Sequence, residues 1–192
     1  SPADIFKIVG PTIVAPRAAL IDQARTPDEL RALHARMCRY KVLDPACGSG
    51  NFLRVALLEL KRLEARLLQR LPEPPDAFVT AAQFFGIDTS PLAVELAILT
   101  MQIGGEPVDL AANFKIMDAI VSADGTIPAW GPADVIIGNP PFPDARKLPV
   151  EPGQAQRALR AGRQVQAGVD ADAHARERLQ RVRVRAEVAG PE

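Results

Sequence analysis

The stretch Tyr40–Leu53, "YKVLDPACGSGNFL", decides the fold. Its short apolar run, Tyr40–Leu43, reads as a strand, Asp44–Gly50 reads as a tight loop, and from Asn51 the apolar residues recur at helical spacing. Phe52, Ala56, Leu60, Leu63, Leu67 and Leu71 share one stripe, with Arg54, Lys61, Glu64 and Arg70 expected to face outward. Strand, glycine turn and helix in that order aim backbone N–H groups and the positive end of a helix at one point. Gly48 and Gly50 remove side chains that would collide with a nucleotide-like ligand there. A βα turn also needs glycine simply for φ > 0, so the loop alone is weak testimony.

The same grammar repeats on either side. "QFFGID" (Gln83–Asp88) is a second strand, followed by Thr89-Ser90-Pro91, a capping hydroxyl and first-turn proline that open a helix over Leu92–Ile103. Gly104-Gly105 ends that helix. "NFKIMD" (Asn113–Asp118) is a third strand and "ADVIIG" (Ala133–Gly138) a fourth. Upstream, residues 3–37 read as helix in two pieces separated around Gly10-Pro11, and Thr26-Pro27 with Glu29 marks a helix start. Strands alternating with helices predict an α/β fold: a mostly parallel sheet flanked by helices.

Bulk properties mainly exclude. A length of 192 residues supports one domain with a real core, and 47% apolar with 24% charged residues is ordinary for a soluble globular protein. A formal net charge of zero gives no global electrostatic signal for nucleic acid or membrane. Cys38 and Cys47 have no zinc spacing, which suits a reduced cytosolic compartment. The best candidate membrane span, Leu92–Ile103, is too short and carries Glu95 and Gln102. No basic segment precedes an apolar run at the start. A cytoplasmic protein without a membrane partner is expected. His34 falls on a helix face and His174 in the C-terminal segment, neither with a metal-ligand companion, so no metal is expected. Cys47 is expected to pack rather than react, and Trp130 to plug the core edge.

The strand ends carry the chemistry. Asp88 closes the second strand where a ribose-binding carboxylate would stand, although it lies 38 residues beyond Gly50 instead of the usual ~20. Its plain alternative is a helix-start aspartate, a role Ser90 already fills. Asp118 closes the third strand with similar geometry, against a surface turn acid as the stronger competitor. If the strand 133–138 lies beside 40–43, their ends are roughly 5–10 Å apart, given ~4.8 Å between strands. Asn139 then sits beside the glycine loop. Pro140 and Pro141 give up their N–H groups and fix the backbone, leaving the carbonyl of Pro140 as a rigid acceptor next to the Asn139 amide oxygen. Phe142 follows as a ring able to stack on a planar partner.

Three ordered segments, "VLDPACGSGNFL", "FFGIDTSPLAVELA" and "DVIIGNPPF", resemble motifs I, II and IV of adenine-N6 DNA methyltransferases of the N-P-P-[FYW] type. The wording is most similar to the MmeI-like type II restriction-modification branch, and the resemblance covers roughly residues 1–148. It implies a Rossmann-like class I methyltransferase fold, S-adenosylmethionine as cofactor, and double-stranded DNA with a flipped target adenine as partner. It implies that Asp44, Ala46, Cys47, Gly48 and Gly50 hold the methionine end of the cofactor, Asp88 its ribose and Asp118 its adenine. Asn139, Pro140 and Phe142 would then engage the target base.

The chain also departs from that family. The family carries a cofactor-contacting aromatic-Thr-Pro motif upstream of the opening helices, where this chain begins at Ser1. Past N-P-P-F the family continues with three further strands and a DNA target-recognition domain. Here "PDARKLPVE" gives way to 151–192, which has 8 arginines, 6 acids and no Phe, Tyr, Trp, Ile or Lys. The expected organisation is a helical segment over 1–38, a partial catalytic core over 39–148, and a mobile or non-native tail over 149–192. A sheet stopping after about the fourth strand would expose an apolar edge and invite self-association. Two other readings stand beside the DNA enzyme: a remnant without turnover, and a protein or RNA methyltransferase of the N-P-P-[FY] type, for which "DPACGSG" is the less usual loop.

Overall fold

A computed structural model describes residues 1–103, 108–122, 124–126 and 128–139, all within one compact unit, Ser1–Pro141. Four strands, β1 (Val42–Asp44), β2 (Phe84–Asp88), β3 (Phe114–Ile116) and β4 (Val135–Ile136), form a sheet in the order β3-β2-β1-β4. All pairings are parallel, with Val42 opposite Phe84 and Val135, and Gly86 opposite Phe114. The expected α/β class with a parallel sheet is therefore what the chain adopts. The strands are shorter than the runs expected from sequence, although flanking residues still reach across: the Met117 N–H donates to the Asp88 carbonyl at 3.0 Å and the Asp134 N–H to the Lys41 carbonyl at 2.9 Å.

Among the described residues five α-helices precede or link the strands: α1 (Pro2–Val9), α2 (Ala15–Gln23), α3 (Pro27–Met37), α4 (Asn51–Leu68) and α5 (Pro91–Gln102). Their starts follow the capping rules. Thr26 Oγ1 accepts from the Glu29 N–H at 3.2 Å while Glu29 Oε2 accepts from the Thr26 N–H at 3.1 Å, a reciprocal capping box. Ser90 Oγ accepts from the Ala93 N–H, with Pro91 in the first turn.

Helix α4 is the organising element. Leu53, Ala56, Leu57, Leu60, Leu63 and Leu67 are buried along it, and α1, α2, α3, α5, β1 and β2 all pack against it. Each fully buried leucine contributes about 1.5–3 kcal/mol of apolar transfer. Phe84, Val42, Val94, Ala97 and Met101 complete this core. On the opposite sheet face, reached by the alternation of side chains along a strand, Leu43, Phe85 and Ile87 line a cavity of about 200 Å³ together with Lys41, Lys115 and Trp130. Among the described residues no helix is long and apolar enough to cross a membrane.

Three expectations need correction. The opening helices do not separate at Gly10-Pro11: Gly10–Val14 is a π-helical turn that joins α1 to α2, and the chain breaks at Ala24 instead. Pro11 has no N–H for the carbonyl four residues back, and the wider turn accommodates its ring. The Thr12 hydroxyl donates to the Ile8 carbonyl at 2.6 Å, satisfying an acceptor the turn leaves. Secondly, Glu64 does not face outward; it is 1% exposed. Thirdly, His34 has companions. Its Nε2 lies 2.8 Å from Glu64 Oε1 and 3.6 Å from Cys38 Sγ. The segment 149–192, like Gly104 and Gly105, lies outside the described residues.

Candidate functional site

Because β2 and β3 lie on one side of β1 and β4 on the other, the chain reverses direction of winding between β1 and β4. The carboxyl ends of two such strands leave a crevice where open α/β sheets bind ligands. The loop Asp44–Gly50 and the turn at Gly138-Asn139 both stand at that crevice.

The loop is tied down residue by residue. Asp44 Oδ1 accepts from the Ala46 N–H at 3.0 Å. The Cys47 N–H donates to the Ile87 carbonyl at 2.9 Å and the Gly48 N–H to Asp88 Oδ2 at 2.9 Å, so the loop hangs from the end of β2. The Gly50 N–H closes the turn on the Cys47 carbonyl at 2.8 Å. Asp88 Oδ1 accepts from the Ser90 N–H at 2.9 Å. Asp88 thus braces the glycine loop and the approach to α5 with one carboxylate, and each oxygen keeps a lone pair for a further donor.

The two glycines of the loop serve different ends. Gly50, at φ +79°, is the N-cap of α4, and a Cβ there would stand 3.0 Å from the Ala97 Cα, so it lets α4 and α5 approach. Gly48, at φ +51°, would carry a Cβ with no atom within 4 Å. It opens onto free space at the mouth of the crevice. Gly50 supplies no side-chain cap, so the first-turn N–H groups of α4 present unpaired donors there.

Asp44 and Cys47 are both buried, at 1% and 5% exposure. Burial, reinforced by the charge of Asp88 and opposed by the Ala46 N–H, pushes the Asp44 carboxyl up to about 7. Burial first, then Asp44 and Asp88, pushes the Cys47 thiol up to about 12, so it packs as a neutral small side chain.

Strand β4 delivers the other half. The Ile137 N–H donates to the Leu43 carbonyl at 2.9 Å, and the Lys41 N–H donates to Asp134 Oδ2 at 2.8 Å. Gly138 then passes so close to Asp44 that a Cβ on it would lie 2.4 Å from Oδ1. Asn139, the next residue, is exposed at the crevice. Pro140 and Phe142 lie outside the described residues. Asp118 stands beyond the end of β3, exposed, with Oδ1 accepting from the Ile120 and Val121 N–H groups at 2.7 and 3.2 Å. Trp130 is half-buried and donates from Nε1 to the Ala119 carbonyl at 2.8 Å.

The buried polar pair His34–Glu64 was missed from sequence, yet a signal existed. Glu64 falls four residues after Leu60 and seven after Leu57, and His34 four after Leu30, each on its helix's apolar stripe.

The family model described as "MmeI, DNA-methyltransferase domain" matches residues 20–141. DNA methyltransferase A of Bacillus subtilis is 29% identical over 170 aligned positions, covering 75% of this chain and 19% of that protein. A putative type II restriction enzyme and methyltransferase of Methanocaldococcus jannaschii is 35% identical over 77 positions, covering 38% of this chain and 6% of the relative. The solved structure of the Type IIL restriction-modification enzyme MmeI in complex with DNA aligns with a TM-score of 0.47 at 26% identity, covering 52% of this chain and 14% of that one. The chain spans less than a fifth of the length of the curated relatives it matches.

Proposed function

The chain belongs to the MmeI DNA-methyltransferase domain family, and from that premise we propose that it moves a methyl group from S-adenosylmethionine to adenine N6 in double-stranded DNA, within a restriction-modification system. The observation that carries this reading is the parallel pairing of β1 with β4, which brings Asn139 to the same crevice as the glycine loop.

The residues present suit the cofactor. Gly48 opens on free space, the α4 N-terminus offers unpaired donors for a carboxylate, and both oxygens of Asp88 retain capacity for ribose hydroxyls. On this reading Asp44, Ala46, Cys47, Gly48 and Gly50 shape the floor under the methionine end. Cys47 contributes through its backbone, since its thiol is turned into the core. Asp118 keeps Oδ2 for the adenine amino group, Oδ1 being taken by its own turn. S-adenosylmethionine supplies an electrophilic methyl carbon when bound.

The N6 lone pair of adenine is delocalised into the ring, so the nitrogen is a poor nucleophile. The Asn139 amide oxygen and the Pro140 carbonyl would accept hydrogen bonds from its two N–H groups, which holds the lone pair out of conjugation and aimed at the methyl carbon; the N–C bond would form as the methyl–sulfur bond breaks with its electrons kept on sulfur, and one N6 proton would pass to solvent. No covalent bond to the protein is needed. Extruding the base costs a few kcal/mol, of which stacking on Phe142 returns about 1–3 kcal/mol. We place β4 as the edge through which copies of the chain associate, since among the described residues it has no strand on its far side.

The test is transfer of a tritiated methyl group by the full-length protein to duplex DNA, with the product identified after nucleoside digestion. N6-methyladenine is expected. Label in protein or RNA instead would move the assignment to the other N-P-P-[FY] enzymes, and calorimetric cofactor binding with no transfer would mark a remnant.

A further inference from the structure

Away from the crevice, where α3 meets α4, three donor side chains converge without a part in the reading above. His34 and Glu64 are buried and Cys38 is half-buried at the C-cap of α3. Their donor atoms all lie within 4.8 Å of one another. We propose that His34, Cys38 and Glu64 form a divalent-metal site, of the nitrogen-sulfur-oxygen type that suits Zn²⁺, fastening α3 to α4.

The geometry is close to what such an ion requires. Zinc holds nitrogen and oxygen at ~2.0–2.2 Å and sulfur at ~2.3 Å, which sets tetrahedral donors about 3.3–3.7 Å apart. His34 Nε2 and Cys38 Sγ already stand 3.6 Å apart. They come from positions four apart at the end of one helix, the spacing by which a helix offers two ligands to one ion. His34 Nε2 and Glu64 Oε1, at 2.8 Å, must open by roughly half an ångström.

Glu64 is oriented from outside the cluster. Its Oε1 accepts from the Phe78 N–H at 2.7 Å and the Val79 N–H at 3.1 Å, and Oε2 accepts from Val79 at 3.1 Å. Such backbone donors fix a ligating carboxylate in place, as outer partners do in metal sites generally. Oε1 exchanges its contact with His34 Nε2 for the ion and keeps its backbone donors. Three protein ligands leave the fourth position to water, and the half-buried Cys38 gives the ion a way in from the surface. On binding, the Cys38 thiol releases its proton to solvent and His34 carries its single ring proton on Nδ1, so Nε2, sulfur and carboxylate all face the ion as lone-pair donors.

Titration of the full chain with Co²⁺, followed by displacement with Zn²⁺, tests the site. Expected are one ion per chain, a thiolate-to-cobalt charge-transfer band with tetrahedral ligand-field bands, and a higher Tm. Cys38→Ser is expected to abolish the charge-transfer band and weaken binding by at least tenfold, while Cys47→Ala retains both. Circular dichroism checks that Cys38→Ser is folded, and His34→Gln supplies a second variant with the same expected loss. No uptake by the parent chain, or uptake indifferent to Cys38→Ser and His34→Gln, would overturn the proposal and leave a buried His–Glu hydrogen bond.

Discussion

The Asp44 carboxylate rests against the bare Cα of Gly138, where a Cβ would intrude to 2.4 Å of Oδ1. The end of one strand is therefore shaped by the side chain ending its neighbour. Gly138→Ala must displace either Asp44, which holds the Ala46 N–H, or the approach to Asn139. A loss of about 1–3 kcal/mol is expected from overpacking of this kind. Urea denaturation measures it, and an unchanged midpoint would mean that Asp44 swings aside freely.

Asp44 also sets a pH dependence. Its carboxyl, ordinarily near 3.9, is raised to about 7 chiefly by burial. A raised carboxyl means that the fold favours the protonated form. The stability this group confers is complete below pH ~4 and is lost as pH rises through about 7. Asp44→Asn, which stays neutral and can still accept from Ala46, is expected to flatten the fall between pH 4 and 8, by up to about 4 kcal/mol. Parallel stability-versus-pH curves for parent and variant would contradict this.

Asn139→Ala in the full-length protein is expected to reduce methyl transfer on the order of 10²–10³-fold, the effect of losing one preorganised polar contact to the reacting group. Cofactor affinity should be unchanged, because the proposed role of Asn139 is to hold the base and not the cofactor. Near-normal turnover would remove the proposed reaction.

Asp88→Ala strips the acceptor from the Gly48 and Ser90 N–H groups together. The glycine loop loses its brace, and a charge-assisted hydrogen bond of about 1.5–3 kcal/mol goes with it. Calorimetry is expected to show S-adenosylmethionine binding at least tenfold weaker, alongside a lower Tm. Weakened binding with an unaltered Tm would assign Asp88 to the ligand alone.

Light scattering addresses the edge of the sheet. Ile136 is 36% exposed on β4, and concentration-dependent association is expected, relieved by Ile136→Lys, a charge that blunts strand edges. A monodisperse monomer at all concentrations would rule out β4 as an adhesive edge.

Much of this arrangement was legible in sequence because it rests on local chemistry. The β1 loop, the Thr26 and Ser90 caps and the placing of Asn139 beside that loop each follow from glycine, hydroxyl or proline at a set position. What escaped depends on partners distant along the chain. Glu64 reads as a solvent-facing charge until His34 and the Phe78–Val79 backbone are seen to satisfy it. The π turn at Gly10–Val14 hides because proline usually breaks a helix, and only packing against α4 makes a wider turn worthwhile. Likewise the contacts of Asp88 with the Gly48 and Ser90 N–H groups, which tie the loop to the end of β2, leave no mark in the sequence.

The pairing of β1 with β4 joins residues 93 apart, as in the Lys41–Asp134 contact. Closing so long a loop costs chain entropy before any pairing rewards it, whereas β1, α4 and β2 are consecutive in the chain. The glycine-loop half of the crevice is thus expected to acquire hydrogen-exchange protection early in refolding, and the Ile137 amide late. A nascent chain would pass through a stage with its glycine loop already built and the segment that carries Asn139 still adrift, until β4 docks against β1.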